Sequence, residues 1–282
     1  MNILITGGKG FLANELVKYF SNSKYKYNLI VTDRRTLNPT LDWQVREIFE
    51  QMDIDFVIHT AVKGGKRIDG ENVNHLFDNI AMFNNLSAQS NKFKLMFNFG
   101  SGAEFDRRYP IRRATEDSVL DRVPQDFYGL SKNLITRKVI DLNKNVINMR
   151  LFGCFGPFEE EQRLFKSTYN KLISGQSPVI FQDREMDFFY SQDVGMVIEH
   201  YMQNFDNGLP KDINLCYNNK HNISGLVNQF KILTKSQTDV IIESPGMAPS
   251  YSGQSSRLDK LNLNLKGIEK GLNECLINWN KS

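Results

Sequence analysis

The chain has 282 residues, 40% of them hydrophobic and 24% charged, enough to bury a real core in one large domain or in one domain with an appendage. A formal net charge of +3 is too small to argue for nucleic acid, and no apolar run approaches the roughly 20 residues of a membrane helix. The three cysteines, Cys154, Cys216 and Cys275, are far apart and include no CxxC, and the four histidines make no metal pattern. Free thiols in a reducing cytoplasm and no bound metal are therefore expected. The chain opens on a strand, so no secretory leader is expected.

In chain order, residues 2 to 6 read as an apolar strand. Phe11, Leu12, Leu16, Val17 and Phe20 give the buried stripe of a helix from about Gly10 to Phe20. Leu29 to Asp33 is a second strand. Trp43, Val45, Ile48, Phe49 and Met52 mark a helix, and Asp55 to Ala61 another strand. A helix over about 73 to 91 follows, then the strand Leu95 to Phe99. The next helix starts near Tyr128, and the strand Val146 to Leu151 ends the run. Continuously apolar strands alternating with helices predict an α/β fold with a Rossmann-type, doubly wound parallel sheet covered on both faces. Past Gly156-Pro157 the pattern loosens. Segment 158 to 185 is charged and mixed, Asp187 to Asn204 reads as strand-turn-helix, and Ile213 to Tyr217 as a late strand. Amphipathic helices and a loop from Pro245 to Ser256 make up the tail. The expected division is a dinucleotide-binding domain of 1–157 plus about 186–218, and a smaller C-terminal substrate-binding lobe of about 158–185 plus 219–282.

The glycine-rich stretch Thr6-Gly7-Gly8-Lys9-Gly10-Phe11-Leu12-Ala13 lies between the first strand and the first helix. That context makes the Gly7-x-x-Gly10-x-x-Ala13 spacing a dinucleotide-binding candidate. Gly7 permits the tight turn, Gly10 lets a pyrophosphate approach the helix N-terminus, and Ala13 is small enough for close helix–strand packing. Asp33, at the end of the second strand, is placed to hold ribose hydroxyls, which favours NAD(H). Arg34, Arg35 and Lys9 are placed to pair with a 2′-phosphate, which favours NADP(H) slightly more. An alternative reading leaves both arginines in solvent.

Tyr128 and Lys132 stand at i and i+4, on one face of one helix. Alone they would read as a surface pair. With the glycine loop upstream and Ser101 between, they describe a catalytic set. A free tyrosine has a pKa of ~10, and a nearby ammonium and a nicotinamide cation are expected to lower it. Ser101 would bond the reacting carbonyl oxygen while Tyr128 protonates it. Arg107, Arg108, Arg112, Arg113 and Arg122 cluster downstream and read chiefly as a solvated loop, with contact to a diphosphate as the alternative. His59 reads as a hydrogen-bonded strand residue and Cys154 as packing.

These residues resemble the extended short-chain dehydrogenase/reductases that act on nucleotide sugars, the NAD(P)-dependent sugar epimerase/dehydratase family. The resemblance runs over nearly the whole chain. It rests on Thr6 to Ala13, Val57-Ile58-His59-Thr60-Ala61-Val62, Asn79 with Asn85-Leu86, Arg150 to Pro157, Asp187 to Val194, Gly271-Leu272 and Trp279. It implies that Ala61, Val62 and Lys63 line the cofactor together with Asn79, and that Lys132 holds the nicotinamide ribose. It implies a nucleotide-sugar substrate and a homodimer. The dimer would use the helices over about 73–91 and from Tyr128, with Phe77, Ile80, Phe83 and Leu86 on one and Leu134, Ile135 and Val139 on the other. Gly153 and Met186 replace the family's usual Asn and Arg, which leaves the nucleotide open.

Dehydratases of the family carry an Asp-Glu pair directly after the Ser/Thr, and its epimerase-reductases a Cys two residues on. This chain has Gly102 and Ala103 there, with Glu104 one position further. Chemistry at C5 is poorly equipped. Reduction of a 4-keto sugar, or a 4-epimerisation with tightly held NAD, needs only Ser101, Tyr128, Lys132 and a hydride. A non-catalytic dinucleotide sensor is the reading from another class, and it has no need of that set.

Overall fold

The computed structural model describes residues 1–65, 70, 72–142 and 145–281. In chain order these form β1 (Asn2–Thr6), α1 (Phe11–Ser21), β2 (Asn28–Val31), α2 (Asp42–Gln51), β3 (Phe56–His59), α3 (Val73–Ala88) and β4 (Leu95–Ser101). Next come β5 (Ile111–Ala114), α4 (Phe127–Asp141), β6 (Val146–Leu151), β7 (Cys154–Phe155), α5 (Leu164–Ile173), β8 (Val179–Asp183) and β9 (Phe189–Tyr190). The remainder is α6 (Ser191–Gln203), β10 (Asp212–Leu215), α7 (Ile223–Thr234), β11 (Ile241–Met247), β12 (Tyr251–Gly253), α8 (Ser256–Asp259) and α9 (Gly267–Trp279).

Six strands pair in parallel in the order β2-β1-β3-β4-β6-β10. β3 and β4 are buried along their whole length, as central parallel strands require. Leu16 and Phe20 of α1 cover one face with Val197, Ile198 and Tyr201 of α6. Val45 and Phe49 of α2, Phe83 and Leu86 of α3, and Ile135 and Val139 of α4 cover the other. The strand order reverses at β1, so the ends of β1 and β3 form the switch point where ligands bind in open α/β sheets.

A separate aromatic cluster holds the late helices. Phe155, Phe165, Tyr169, Phe230 and Trp279 pack with Leu272 between α5, α7 and α9. Asp193 of α6 ties this part to the sheet. Its carboxylate accepts from the Tyr217 hydroxyl at 2.6 Å and from the backbone amides of Lys266 and Gly267 at 2.8 and 2.9 Å.

A buried polar network crosses the C-terminal half of the sheet. Arg150 and Glu104 have no exposed surface, and Arg150 Nε lies 2.7 Å from Glu104 Oε2. The other side of the guanidinium donates to both oxygens of Asp212 and to Asn214. Burial opposes the Arg150 charge, but Glu104 and Asp212 outweigh it and hold it protonated.

Several expectations change. β2 ends at Val31, so Asp33 lies beyond the strand, in a turn where its own carboxylate accepts from the Arg35 amide. The helix expected to reach residue 91 stops at Ala88. The tail segment 245–256 is not simply a loop. Pro245 and Gly246 fall within β11, which pairs with β8, and β12 pairs with β5. The stripe assigned to a dimer is mostly spent inside the protomer. Phe83, Leu86, Ile135 and Val139 are buried against the sheet, while Phe77 is 63% and Leu134 40% exposed.

Candidate functional site

The glycine loop sits in the switch point, and sterics explain its composition. Gly7 has φ of 73°, and a Cβ there would fall 2.8 Å from the backbone of Ala61. A Cβ on Gly8 would strike Val31 at 2.6 Å. β3 and β2 thus pinch the loop from both sides. Gly10 caps α1 with no side-chain hydrogen bond, and the first turn carries no acid, so the amides from Phe11 and Leu12 onward are left to an anion. This cradle fits a dinucleotide pyrophosphate. At its rim, Lys9 Nζ lies 2.6 Å from Asp33, and that pairing together with the Arg35 amide holds the Asp33 carboxyl below its usual range. Arg34 and Arg35 are exposed beside it.

Beyond β3, Ala61, Val62 and Lys63 lead to Gly64 and Gly65. Asn79 of α3 is buried and bonded to the backbone beside this space. Its amide accepts from the Lys63 amide at 2.8 Å, donates to the Lys63 carbonyl at 3.0 Å, and donates to Ser131 at 3.0 Å. Asn79 therefore braces the wall against α4 and would act on a cofactor through the Lys63 backbone. A Cβ on Gly65 would fall 3.0 Å from Cζ of Tyr128, so this wall reaches the tyrosine.

Ser101 ends β4 and starts a tight turn. Its hydroxyl accepts from the Ala103 amide at 3.2 Å, and Glu104 Oε1 accepts from the Ser101 amide at 2.7 Å. This is a capping box, and it turns Glu104 inward to Thr136 and Arg150, away from the site. The spacing Ser-x-x-Glu carried that signal in the sequence. Tyr128 lies in the first turn of α4, which Asp126 caps by accepting from the Gly129 amide at 2.7 Å. A Cβ on Gly129 would fall 2.8 Å from the Ala103 carbonyl, so glycine there lets α4 approach the Ser101 turn.

The electrostatics differ from expectation at the tyrosine. Burial raises the Tyr128 pKa, and the nearby groups that modulate it are Ser101, Glu104, Arg107 and Asp126. The phenol is held protonated. Lys132 is buried one turn on, donates to the Phe99 carbonyl at 2.8 Å, and is pushed down to about 8 by burial, against the pull of Glu104. His59 bonds Thr6 through Nδ1 at 2.8 Å, and burial, with Lys132 adding to it, drops its pKa to about 3, so the imidazole is neutral.

The arginine cluster divides. Arg108 pairs with Asp106, Arg122 stacks on Tyr109, and Arg112 and Arg113 are exposed. Arg107 pairs with Asp126 at 2.7 Å, and its charge reaches Tyr128 and Tyr251. Tyr251 itself escaped the sequence reading. It sits on β12, and its phenol rests on Gly102 beside Ser101. Nothing local in its sequence marks it, because a pairing with distant β5 brings it there.

The sequence pattern of the NAD dependent epimerase/dehydratase family matches residues 3–216. A putative UDP-glucose 4-epimerase of Methanocaldococcus jannaschii is 25% identical over 226 residues, 68% of this chain and 70% of the relative. The fold resembles that of GDP-mannoheptose C4 reductase from Campylobacter jejuni with NADP bound, at a TM-score of 0.82 and 19% identity, covering 100% of this chain and 98% of the other. It also resembles UDP-glucose 4-epimerase from Thermotoga maritima, at 0.81 and 18% identity, covering 100% and 99%. The structural likenesses establish the fold, and the sequence match runs from β1 through β10. The chain belongs to the NAD dependent epimerase/dehydratase family of enzymes.

Proposed function

We propose that the chain is an NAD(P)H-dependent reductase of a 4-keto nucleotide sugar, with Ser101, Tyr128 and Lys132 as its catalytic set and the C-terminal lobe holding the sugar. The observation that carries this reading is the direction of Glu104. The acid nearest Ser101 in sequence is bound inward to Arg150 and is not free to act as a base beside Ser101. A protonated Tyr128 donates to the C4 oxygen, and Ser101 supplies a hydrogen bond to the same atom. Gly7, Gly8, Gly10 and the amides of Phe11 and Leu12 would hold the pyrophosphate. Ala61, Val62 and Lys63 would border the nicotinamide, and Lys132 would hold its ribose. Bound there, the dinucleotide supplies the hydride. A 4-epimerase is the second reading, favoured by the identity to the archaeal relative. Absorbance at the reduced nicotinamide band, over a panel of nucleotide sugars and their 4-keto forms, separates the two. A reductase consumes NAD(P)H in step with the sugar, and an epimerase shows no net consumption.

On the accepted sugar, Tyr128→Phe is expected to lower kcat by orders of magnitude with the dinucleotide still bound, and Ser101→Ala to cost less. Near-normal turnover of Tyr128→Phe would refute the mechanism. Lys132→Met is expected to impair turnover and cofactor affinity, yet to stabilise the ligand-free protein. A lysine lowered from 10.5 to about 8 costs the fold on the order of 3 kcal/mol below pH 8. Between pH 8 and 10.5 the unfolded chain keeps the proton and the folded chain has lost it, so this contribution makes stability rise with pH. In Lys132→Met the melting temperature at pH 7 should be higher and that rise should vanish.

Cofactor choice is proposed to favour NADP(H). Lys9 already neutralises Asp33, and the two exposed arginines stand beside it. Replacing Arg34 and Arg35 by alanine should weaken NADPH at least about tenfold per arginine that bonds the phosphate, and NADH little. Equal losses for both dinucleotides would return the site to NAD.

The assembly is proposed to be a homodimer through α3 and α4, using Phe77, Ile80 and Leu134, which the protomer leaves exposed or half-buried. Sedimentation should give a dimer at micromolar concentration, and a Phe77→Asp, Leu134→Asp variant a monomer. A wild-type monomer would sink the assignment.

A further inference from the structure

The fold brings Tyr251 to the active site, and its ring has a clear packing role while its hydroxyl has none. A Cβ on Gly102 would fall 2.7 Å from Cζ and 2.8 Å from Oη of Tyr251, so the phenol lies against the residue that follows Ser101. The ring stands edge-on to Phe152 at 5.6 Å, and Phe152 stacks on Phe105 at 6.0 Å. The backbone of β12 is pinned on both sides. The Tyr251 amide donates to the Glu185 carbonyl at 2.8 Å, the Asp187 amide to the Tyr251 carbonyl at 3.1 Å, and the Ile111 amide to the Ser250 carbonyl at 2.9 Å. The Ser252 hydroxyl donates to Glu185 at 2.6 Å. Phenylalanine would serve all of this packing equally well. Among the described residues, Ser191 Oγ is the one buried side-chain polar atom that lacks a partner. The Tyr251 hydroxyl makes no hydrogen bond to the described residues either, so it is not sealed in and opens onto the space beside the Ser101 turn. A phenol drawn partly out of water without a protein partner costs stability, and a ligand accounts for it.

We propose that Tyr251 is a specificity residue that hydrogen-bonds a sugar hydroxyl beside the reacting carbonyl, the one on C3 or the one on C6. The proposal rests on the reductase reading above, in which Ser101 and Tyr128 share the C4 oxygen. Residue 102 directly follows Ser101, and consecutive Cα atoms stand about 3.8 Å apart. A phenol seated on residue 102 is therefore placed for the substituents next to C4, and the C4 oxygen itself is left to Ser101 and Tyr128. Those substituents are the C3 hydroxyl and the hydroxymethyl group that C5 carries. A phenol both donates and accepts, so it pairs with a hydroxyl in either direction. Burial holds it protonated, well above the ordinary tyrosine range. A site built to hydrogen-bond a hydroxyl discriminates against the analogue that lacks it, because its polar group is then left unpaired. Tyr251 belongs to the lobe and Ser101 to the sheet. The lobe thus reads the sugar within one residue of the place where the sheet acts on it.

The test has a binding arm and a turnover arm, both on the full-length protein. In the first, tyrosine carries carbon-13 at Cζ, and Tyr251→Phe, which keeps the ring, assigns the Tyr251 signal. UDP-, dTDP- and GDP-linked hexoses are titrated in turn onto the protein with dinucleotide bound. The hexose that binds should shift the Tyr251 signal, and either its 3-deoxy or its 6-deoxy form should not. A bound hexose that leaves the signal in place overturns the proposal, and a panel on which none binds overturns both it and the reductase reading. In the second arm, the 4-keto form of that hexose is compared with its 3-deoxy and 6-deoxy analogues. On the parent sugar, Tyr251→Phe should lower kcat/KM about tenfold, the worth of one hydrogen bond, with KM for NAD(P)H unchanged. On the analogue that lacks the contacted hydroxyl the same change should cost nothing further, and the identity of that analogue tells C3 from C6. Equal losses on all three sugars, which a purely structural role would give, overturn the proposal, as does an unchanged kcat/KM on the parent. If a hexose binds and shifts Tyr251 but its keto form consumes no NAD(P)H, the reductase reading fails while the contact stands.

Discussion

Two charged side chains, Glu104 and Arg150, meet at 2.7 Å with no exposed surface where β4, β6 and α4 come together. Removing one partner of such a pair typically costs about 3–5 kcal/mol, because the other charge is left buried. The pair is therefore a strong constraint on local geometry. Glu104 also accepts from the Ser101 amide and from Thr136 of α4, which fixes the end of β4 relative to the helix that carries Tyr128 and Lys132. Asn148 extends the same system by donating to Thr136 and Asp212. Three donors from the protein occupy three of the roughly four lone-pair sites that an ionised carboxylate offers. The geometry that presents Ser101 thus also holds the acid nearest to it in sequence against Arg150.

The second constraint is the joining of the two cores. Asp193 accepts from three donors drawn from α9 and from Tyr217 beyond β10, and Trp279 reaches back to the Pro157 carbonyl at 2.7 Å. Asp187 and Lys220, each 5% exposed, pair at 2.8 Å beside β12. These buried polar links hold the strand of Tyr251 against the sheet. The switch point between β1 and β3, the Ser101 turn and β12 consequently converge on one end of the sheet.

Much of this was legible in the sequence where the signal is local. Gly7, Gly10 and Ala13 follow a strand and open a helix. Tyr128 and Lys132 share a helix face by spacing alone. Strand and helix positions fall within a few residues of the expected ones, because apolar runs and periodic stripes are short-range patterns. What failed was long-range. A stripe such as Phe77-Ile80-Phe83-Leu86 shows that a face is apolar, not whether the sheet or a second copy covers it, and the sheet takes Phe83 and Leu86. The pairing of Lys9 with Asp33 needs a turn geometry that charge patterns do not carry. Tyr251 reaches Gly102 through a strand pairing spanning more than a hundred residues, inside a segment rich in Pro, Gly and Ser. Glu104 was readable, since Ser-x-x-Glu is a capping signature, but it was weighed as a catalytic acid and not as a cap.

The central claim is that the proposed reductase moves a hydride and a proton at C4 and, among the described residues, turns no base to the neighbouring carbons. Turnover in deuterium oxide tests this directly, with the product analysed by proton NMR and mass spectrometry against an enzyme-free control. Glu104 committed to Arg150 predicts that C3 and C5 keep their original hydrogens, with no solvent deuterium on carbon. Enzyme-dependent deuterium at C3 or C5 would contradict the account, because it would require a base that this arrangement does not supply.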